Sequence, residues 1–114
     1  MTLPTPGFIG SHIHIESMVV PSRFARVTVT HGTIGMIADP HEIGNVLGIE
    51  VIDYMIRSGN EAQLNFCFGT PNCVPAVGGE IETSGAVISA EDIERMMQHE
   101  NIGFLGEMMN WCAR

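Results

Sequence analysis

Lysine is missing from all 114 residues, and five arginines face thirteen acidic residues, for a net charge of −8. A chain so short of positive charge has no electrostatic footprint for a phosphate backbone or an anionic bilayer surface, so neither nucleic acid nor membrane is an expected partner. The lysine gap also removes one kind of metal ligand outright. Cysteine is sparse and odd in number, Cys67, Cys73 and Cys112, with no C-x-x-C spacing. That fits a reducing compartment, the cytoplasm, with the thiols as small core residues or neighbours of a site. No run approaches the roughly 20 apolar residues that span a bilayer. Residues 1–10 show neither a charged n-region nor a continuous apolar h-region, so no export signal is expected. What remains is an ordinary globular composition, 45% hydrophobic, which argues against disorder. The length allows one small domain, residues 1–114, able to bury a core but short for an enzyme with a deep pocket.

Strand-like and helix-like segments alternate, as in an α/β protein with a parallel sheet. Phe8–Ile15 reads as strand one, opened by the turn pair Pro6-Gly7. Pro21–Thr30 reads as a crossover helix with proline in its first turn, although the β-branched run Val27-Thr28-Val29-Thr30 weakens it. Thr33–Ala38 reads as strand two, broken by Asp39-Pro40. Apolar residues at 49, 52, 55 and 56 make Leu47–Ser58 a helix, with Gly59 as its stop. Leu64–Phe68 alternates as strand three. The stretch from Gly69 to Ile88, rich in proline and glycine (Gly79 among them), is a loop long enough to be functional. Ser89 caps a helix with acids in its first turn and Ile93, Met96 and Met97 on one face. Ile102–Met108 reads as strand four. Such βα units fit either a (β/α)8 barrel or a doubly wound sheet. A whole barrel needs about 250 residues, so the choice is a small open sheet or a piece of something larger.

His12 and His14 lie one residue apart in a strand, so both imidazoles project on one face while Ile13 and Ile15 project on the other. Two such nitrogens can converge on one ion; they can equally be surface or hydrogen-bonded core histidines. Asp39-Pro40-His41-Glu42 follows strand two, where a parallel sheet places its active-site loops, but the same residues make a turn and a cap. Glu107 is the lone carboxylate of an otherwise apolar segment. Buried, it would need a partner or a metal; at a strand end it would already meet solvent. All these residues fall at or near the C-terminal ends of strands, the catalytic face of a (β/α)8 barrel. Two strand-one histidines and a strand-four carboxylate would make a pocket for a divalent metal.

The segment Pro6-Gly7-Phe8-Ile9 followed by His12-Ile13-His14-Ile15-Glu16-Ser17 resembles the strand-one signature of metal-dependent amidohydrolases. Ala38-Asp39-Pro40-His41-Glu42-Ile43-Gly44-Asn45-Val46-Leu47-Gly48 is more particular and is similar to the adenine deaminases of that superfamily. So are Pro71-Asn72-Cys73-Val74-Pro75-Ala76, Glu82-Thr83-Ser84-Gly85-Ala86 and Gly106-Glu107-Met108-Met109-Asn110. The blocks keep the family's order along nearly the whole chain.

The resemblance implies a partial (β/α)8 TIM barrel, about the first four βα units, and hydrolysis of adenine to hypoxanthine and ammonia by a metal-activated hydroxide. It makes His12 and His14 strand-one metal ligands and Glu107 the carboxylate that bridges two ions, where many amidohydrolases use a carboxylated lysine. This lysine-free chain has none to offer. Iron or manganese is the expected metal of the dinuclear centre, with zinc also compatible. Asp39, His41 and Glu42 are expected to contact substrate or to support the ligands. Two departures stand out. Gly10 occupies a position where the family usually has aspartate. The family's further histidines, from strands five and six, and its strand-eight aspartate have no counterpart here, so the expectation is a fragment incomplete for catalysis, open to self-association as a homo-oligomer. The competing readings are another cyclic-amide or purine amidohydrolase and a non-catalytic, metal-binding truncated barrel.

Overall fold

The computed structural model describes residues 3–78 and 80–110. Four parallel strands, β1 (Phe8–Ile13), β2 (Thr33–Ala38), β3 (Asn65–Thr70) and β4 (Ile102–Leu105), form one sheet in the order β1-β2-β3-β4. Sequential order without reversal is how a (β/α) barrel is laid down, whereas a doubly wound sheet changes direction at a switch point. Helix α1 (Pro21–Thr28) crosses from β1 to β2, α2 (His41–Leu47) and α3 (Glu50–Asn60) from β2 to β3, and α4 (Ala90–Met96) from β3 to β4. No described helix is long and apolar enough to cross a membrane.

The core lies between the helices and one face of the sheet. Ile15, Ala25, Met36, Ala38, Ile52, Met55, Ile56, Phe68 and Ile102 are all buried there. Helix α3 contributes most because Ile52, Met55 and Ile56 recur on one side of a 3.6-residue period. Gly59, near its end, lets the helix backbone settle against the stacked rings of Phe66 and Phe68.

Several boundaries differ from the sequence expectation, each for a local reason. Strand β1 stops at Ile13, because the chain turns into a 3-10 helix at Ile15–Ser17. The crossover helix begins with Pro21 at its first position as expected. It tightens to a 3-10 turn at Val29–His31, overlapping the end of the β-branched run. The helix expected from Leu47 begins only at Glu50: Leu47 ends a separate helix, α2, and Gly48 between the two sits at φ +76, a conformation disfavoured for other residues. Gly59 lies inside α3, which runs to Asn60, and is not its stop. Strand β4 is shorter than expected and ends at Leu105.

Helix α4 starts at a full capping box. The Ser89 hydroxyl accepts from the Asp92 amide, and the Asp92 carboxylate accepts from the Ser89 amide. Those bonds hold the Asp92 carboxyl below the ordinary aspartate range. Of the cysteines, Cys73 is buried and Cys67 half-buried, both as free thiols; Cys112 lies outside the described residues.

Candidate metal and substrate site

The ends of all four strands converge at one rim of the sheet. His12 is the penultimate residue of β1 and His14 follows its last residue in a near-extended conformation, φ −100 and ψ 86. Both imidazoles therefore keep to one side, and their Nε2 atoms lie 3.2 Å apart. Glu107 follows β4 and brings Oε1 to 3.3 Å from His14 Nε2. These separations suit a shared cation. Tetrahedral bonds of about 2.1 Å place neighbouring ligand atoms about 3.4 Å apart. One ligand atom each from His12, His14 and Glu107 lies within 4.8 Å of the others. The structure thus brings together the residues that the sequence singled out. Of the two environments open to Glu107, the structure gives the solvent-facing one: it stands two residues past the strand, with its side chain 42% exposed.

The Asp39-Pro40-His41-Glu42 segment divides between two environments. Asp39 is fully buried, and His41 nearly so. His41 Nδ1 lies 2.6 Å from Asp39 Oδ1, and its Nε2 accepts from the backbone amides of Asn72 (3.2 Å) and Cys73 (3.4 Å). Backbone amides only donate, so Nε2 carries no proton and Nδ1–H donates to Asp39. The other Asp39 oxygen accepts from the Glu107 amide at 2.9 Å. Burial opposes the charge on Asp39, but the hydrogen bonds from His41 and Glu107 outweigh it and hold the carboxyl below its ordinary value. His14, Asp39 and His41 also lie close enough to be read as metal ligands. With both its ring nitrogens engaged by protein groups, His41 has no lone pair left for a cation.

Glu42 points the other way. It is exposed, with Oε2 3.0 Å from His14 Nδ1, and it borders a 190 Å³ cavity with His41, Asn45, Cys73, Glu82, Glu107 and Met109. Glu16, absent from the expected site, does not line this cavity but is bonded to the Glu42 backbone. Its Oε1 accepts from the Glu42 amide at 3.2 Å. Burial lifts its carboxyl to about 7, and the nearby Glu42 carboxylate pushes the same way. Glu16, Asn72 and Glu82 were visible only as members of the quoted motifs, since nothing in their spacing marks them as site residues; Cys73, expected as a core residue or a neighbour of a site, is both.

Among the described residues, the buried side-chain atoms without a hydrogen-bond partner are His14 Nδ1, Glu16 Oε2, Asn45 Oδ1 and Thr70 Oγ1. The 3.0 Å approach of Glu42 to His14 Nδ1 is close but poorly aligned. Native proteins leave few such atoms unsatisfied, and all four belong to segments at this rim. Orphaned polar atoms beside a converging histidine–carboxylate set fit a place where a metal and a polar ligand sit.

Gly10, where the family usually has aspartate, packs against the side chain of Met36; a β-carbon there would meet its sulfur, and its methyl carbon at 2.7 Å.

A sequential parallel βα array gathering histidines and carboxylates at its strand ends defines a barrel-type protein with a candidate metal centre. The chain belongs to the amidohydrolase family, whose sequence pattern matches residues 3–112. It is 50% identical over 107 residues to an adenine deaminase of Borreliella burgdorferi, 93% of this chain and 20% of that protein. The adenine deaminase of Salinibacter ruber is 47% identical over 107 residues, covering 93% and 19%. That of Methanosarcina barkeri is 49% identical over the same length and shares. The chain therefore spans about a fifth of the length of these curated relatives.

Proposed function

We propose that this chain supplies the strand-one to strand-four portion of an adenine deaminase site, with His12, His14 and Glu107 holding a divalent cation. The observation that carries the reading is the 3.2–3.3 Å convergence of these three side chains at the strand ends. The similarity to adenine deaminases through all four βα units supports the substrate. A bound divalent ion, iron or manganese by the resemblance, would supply Lewis acidity and lower the pKa of water at neutral pH.

The chain's own residues do the rest. Glu107 accepts a ligand role without a buried-charge penalty, because its carboxylate is already partly in solvent. Glu42, beside Glu107 on the cavity wall, offers a carboxylate to the ring N–H groups of a purine. The 190 Å³ volume is below the roughly 300–1,000 Å³ of sites for drug-sized ligands, which suits a single small base. Glu16, lifted toward 7 by burial, stands behind Glu42 as a carboxyl that can keep or release a proton near neutrality.

The test is a graft. Residues 8–110 replace the matching segment of a full-length adenine deaminase relative, and ammonia release from adenine is measured. Turnover that falls by at least about a hundredfold in Glu107→Gln is expected, as for loss of a group acting in a catalytic unit. A graft that prefers a cyclic amide or another purine would replace this reading with that of a different amidohydrolase.

A further inference from the structure

We infer that Asp39 and His41 form a positioning latch that sets the Glu107 carboxylate, with His41 held as the neutral Nδ1–H tautomer. The inference deepens the proposed function, since it rests on Glu107 as a ligand, and it separates Asp39 and His41 from Glu42.

The connections run through four strand ends. From the loop after β3, the Asn72 and Cys73 amides converge on His41 Nε2. His41, at the start of α2 after β2, passes the connection through Nδ1–H to Asp39 Oδ1 at 2.6 Å. Asp39 Oδ2 accepts the Glu107 amide of the segment after β4. Asp39 itself is pinned to β1, its amide donating to the Ile13 carbonyl at 2.9 Å, one residue before His14. One buried pair thus joins the backbone that carries His14 to the backbone that carries Glu107.

The segment after β4 is gripped from its other side as well. The Gly106 amide donates to the Thr70 carbonyl at 2.9 Å, and the Met109 amide to Cys73 Sγ at 3.3 Å. With its amide nitrogen turned toward β4, Asn72 donates to the carbonyls of Gly106 (3.1 Å) and Glu107 (3.0 Å). Residue 106 must be glycine for this closeness. A β-carbon there would fall 2.8 Å from both Asp39 carboxylate oxygens and 2.5 Å from the Thr70 carbonyl. Glu107 has both backbone groups anchored and a side chain free to meet His14. Such a carboxylate is placed by its backbone, as an organised ligand needs.

The chemistry of the latch dictates which substitutions should break it. Asparagine in place of His41 retains a donor toward Asp39. Alanine retains none, leaving a buried carboxylate with one donor fewer. The experiment measures amide hydrogen exchange by NMR in the metal-free 114-residue chain, with manganese titration in parallel. Exchange at the Glu107 amide is expected to speed up about tenfold or more in His41→Ala, although His41 does not touch Glu107, and to stay near the parent rate in His41→Asn. Long-range 1H–15N spectra of the parent should show His41 Nε2 unprotonated. His41→Ala should weaken manganese binding in the parent, yet add nothing in a Glu107→Gln background, as for residues acting through one another.

Unchanged exchange at Glu107 in His41→Ala, or a protonated Nε2, would overturn the latch. So would a metal loss that adds fully to that of Glu107→Gln. A parent chain that binds no manganese while the exchange pattern holds would instead count against the metal reading and leave the latch standing.

Discussion

At the residue scale, the site separates groups by how much water they keep. His12, Glu42 and Glu107 stay exposed and available, whereas Asp39 and His41 are buried and fully engaged. Glu16 lies between, half-buried, with one oxygen bonded and the other without a partner. Its raised value of about 7 against an ordinary 4.5 has a measurable consequence. Between those limits the folded state keeps a proton that the unfolded chain has released. Stability of the metal-free protein should therefore fall as pH rises through this window and level off above it, by about 1–2 kcal/mol once partial exposure is allowed for. Urea unfolding in the presence of a chelator, at about pH 5 and about pH 8, should show this loss in the parent and not in Glu16→Gln. Identical pH profiles for the two proteins would mean that the carboxyl is better solvated than its surroundings suggest. Neither Glu16 nor the split between Asp39 and Glu42 was legible in the sequence. Burial and hydrogen-bond direction depend on residues 26 to 68 positions away, and a linear pattern does not contain them. The alternation of His12 and His14 was legible, because strand geometry alone puts them on one face.

At the scale of elements, legibility followed the strength of the local signal. Strand β2 has the expected limits, since Thr33–Ala38 is apolar and Asp39-Pro40 ends it. Ser89 caps α4 as its side chain dictates. Helix α2 was hidden because proline precedes it and Gly44 and Asn45 are weak helix formers; it is held by the site, through His41 and the Glu16–Glu42 bond. Gly59 misled in an instructive way. Glycine near a helix end usually marks a stop, but here it marks a contact, since a β-carbon would fall 2.9 Å from two atoms of the Phe68 ring. Two effects compete in Gly59→Ala. Helix propensity favours alanine by up to about 1 kcal/mol, while overpacking a filled core costs about 1–3 kcal/mol. Phe68 is 1% exposed and stacked on Phe66 at 5.6 Å between ring centres, so its ring has little room to move and overpacking should win. A net loss of about 1 kcal/mol is expected, read as a lower Tm by thermal unfolding; a higher Tm would show that α3 slides outward at no cost.

At the scale of the whole molecule, the described sheet ends in β1 on one side and β4 on the other, with no further strand paired to either among the described residues. Phe8 and Ile9 on β1 are 70% and 63% exposed, and Leu105 on β4 is 49% exposed. Apolar strands at open edges invite pairing with more chain, and the relatives are about five times longer than this chain. The site shows the same openness: three candidate ligands come from the ends of only two strands, β1 and β4. The family resemblance leads one to expect the remaining ligands from strands five, six and eight. Self-association can cover the edges, but it duplicates the His12–His14 pair and does not create an aspartate of another kind. Groups that act as a unit lose nearly all catalysis when one is missing. The 114-residue chain by itself is therefore expected to release no ammonia from adenine above the blank, whether loaded with iron or with manganese and whatever its association state by light scattering. Turnover in the ordinary enzyme range of about 1–1,000 per second, abolished by Glu107→Gln, would show that four βα units with this rim of histidines and carboxylates suffice for the chemistry.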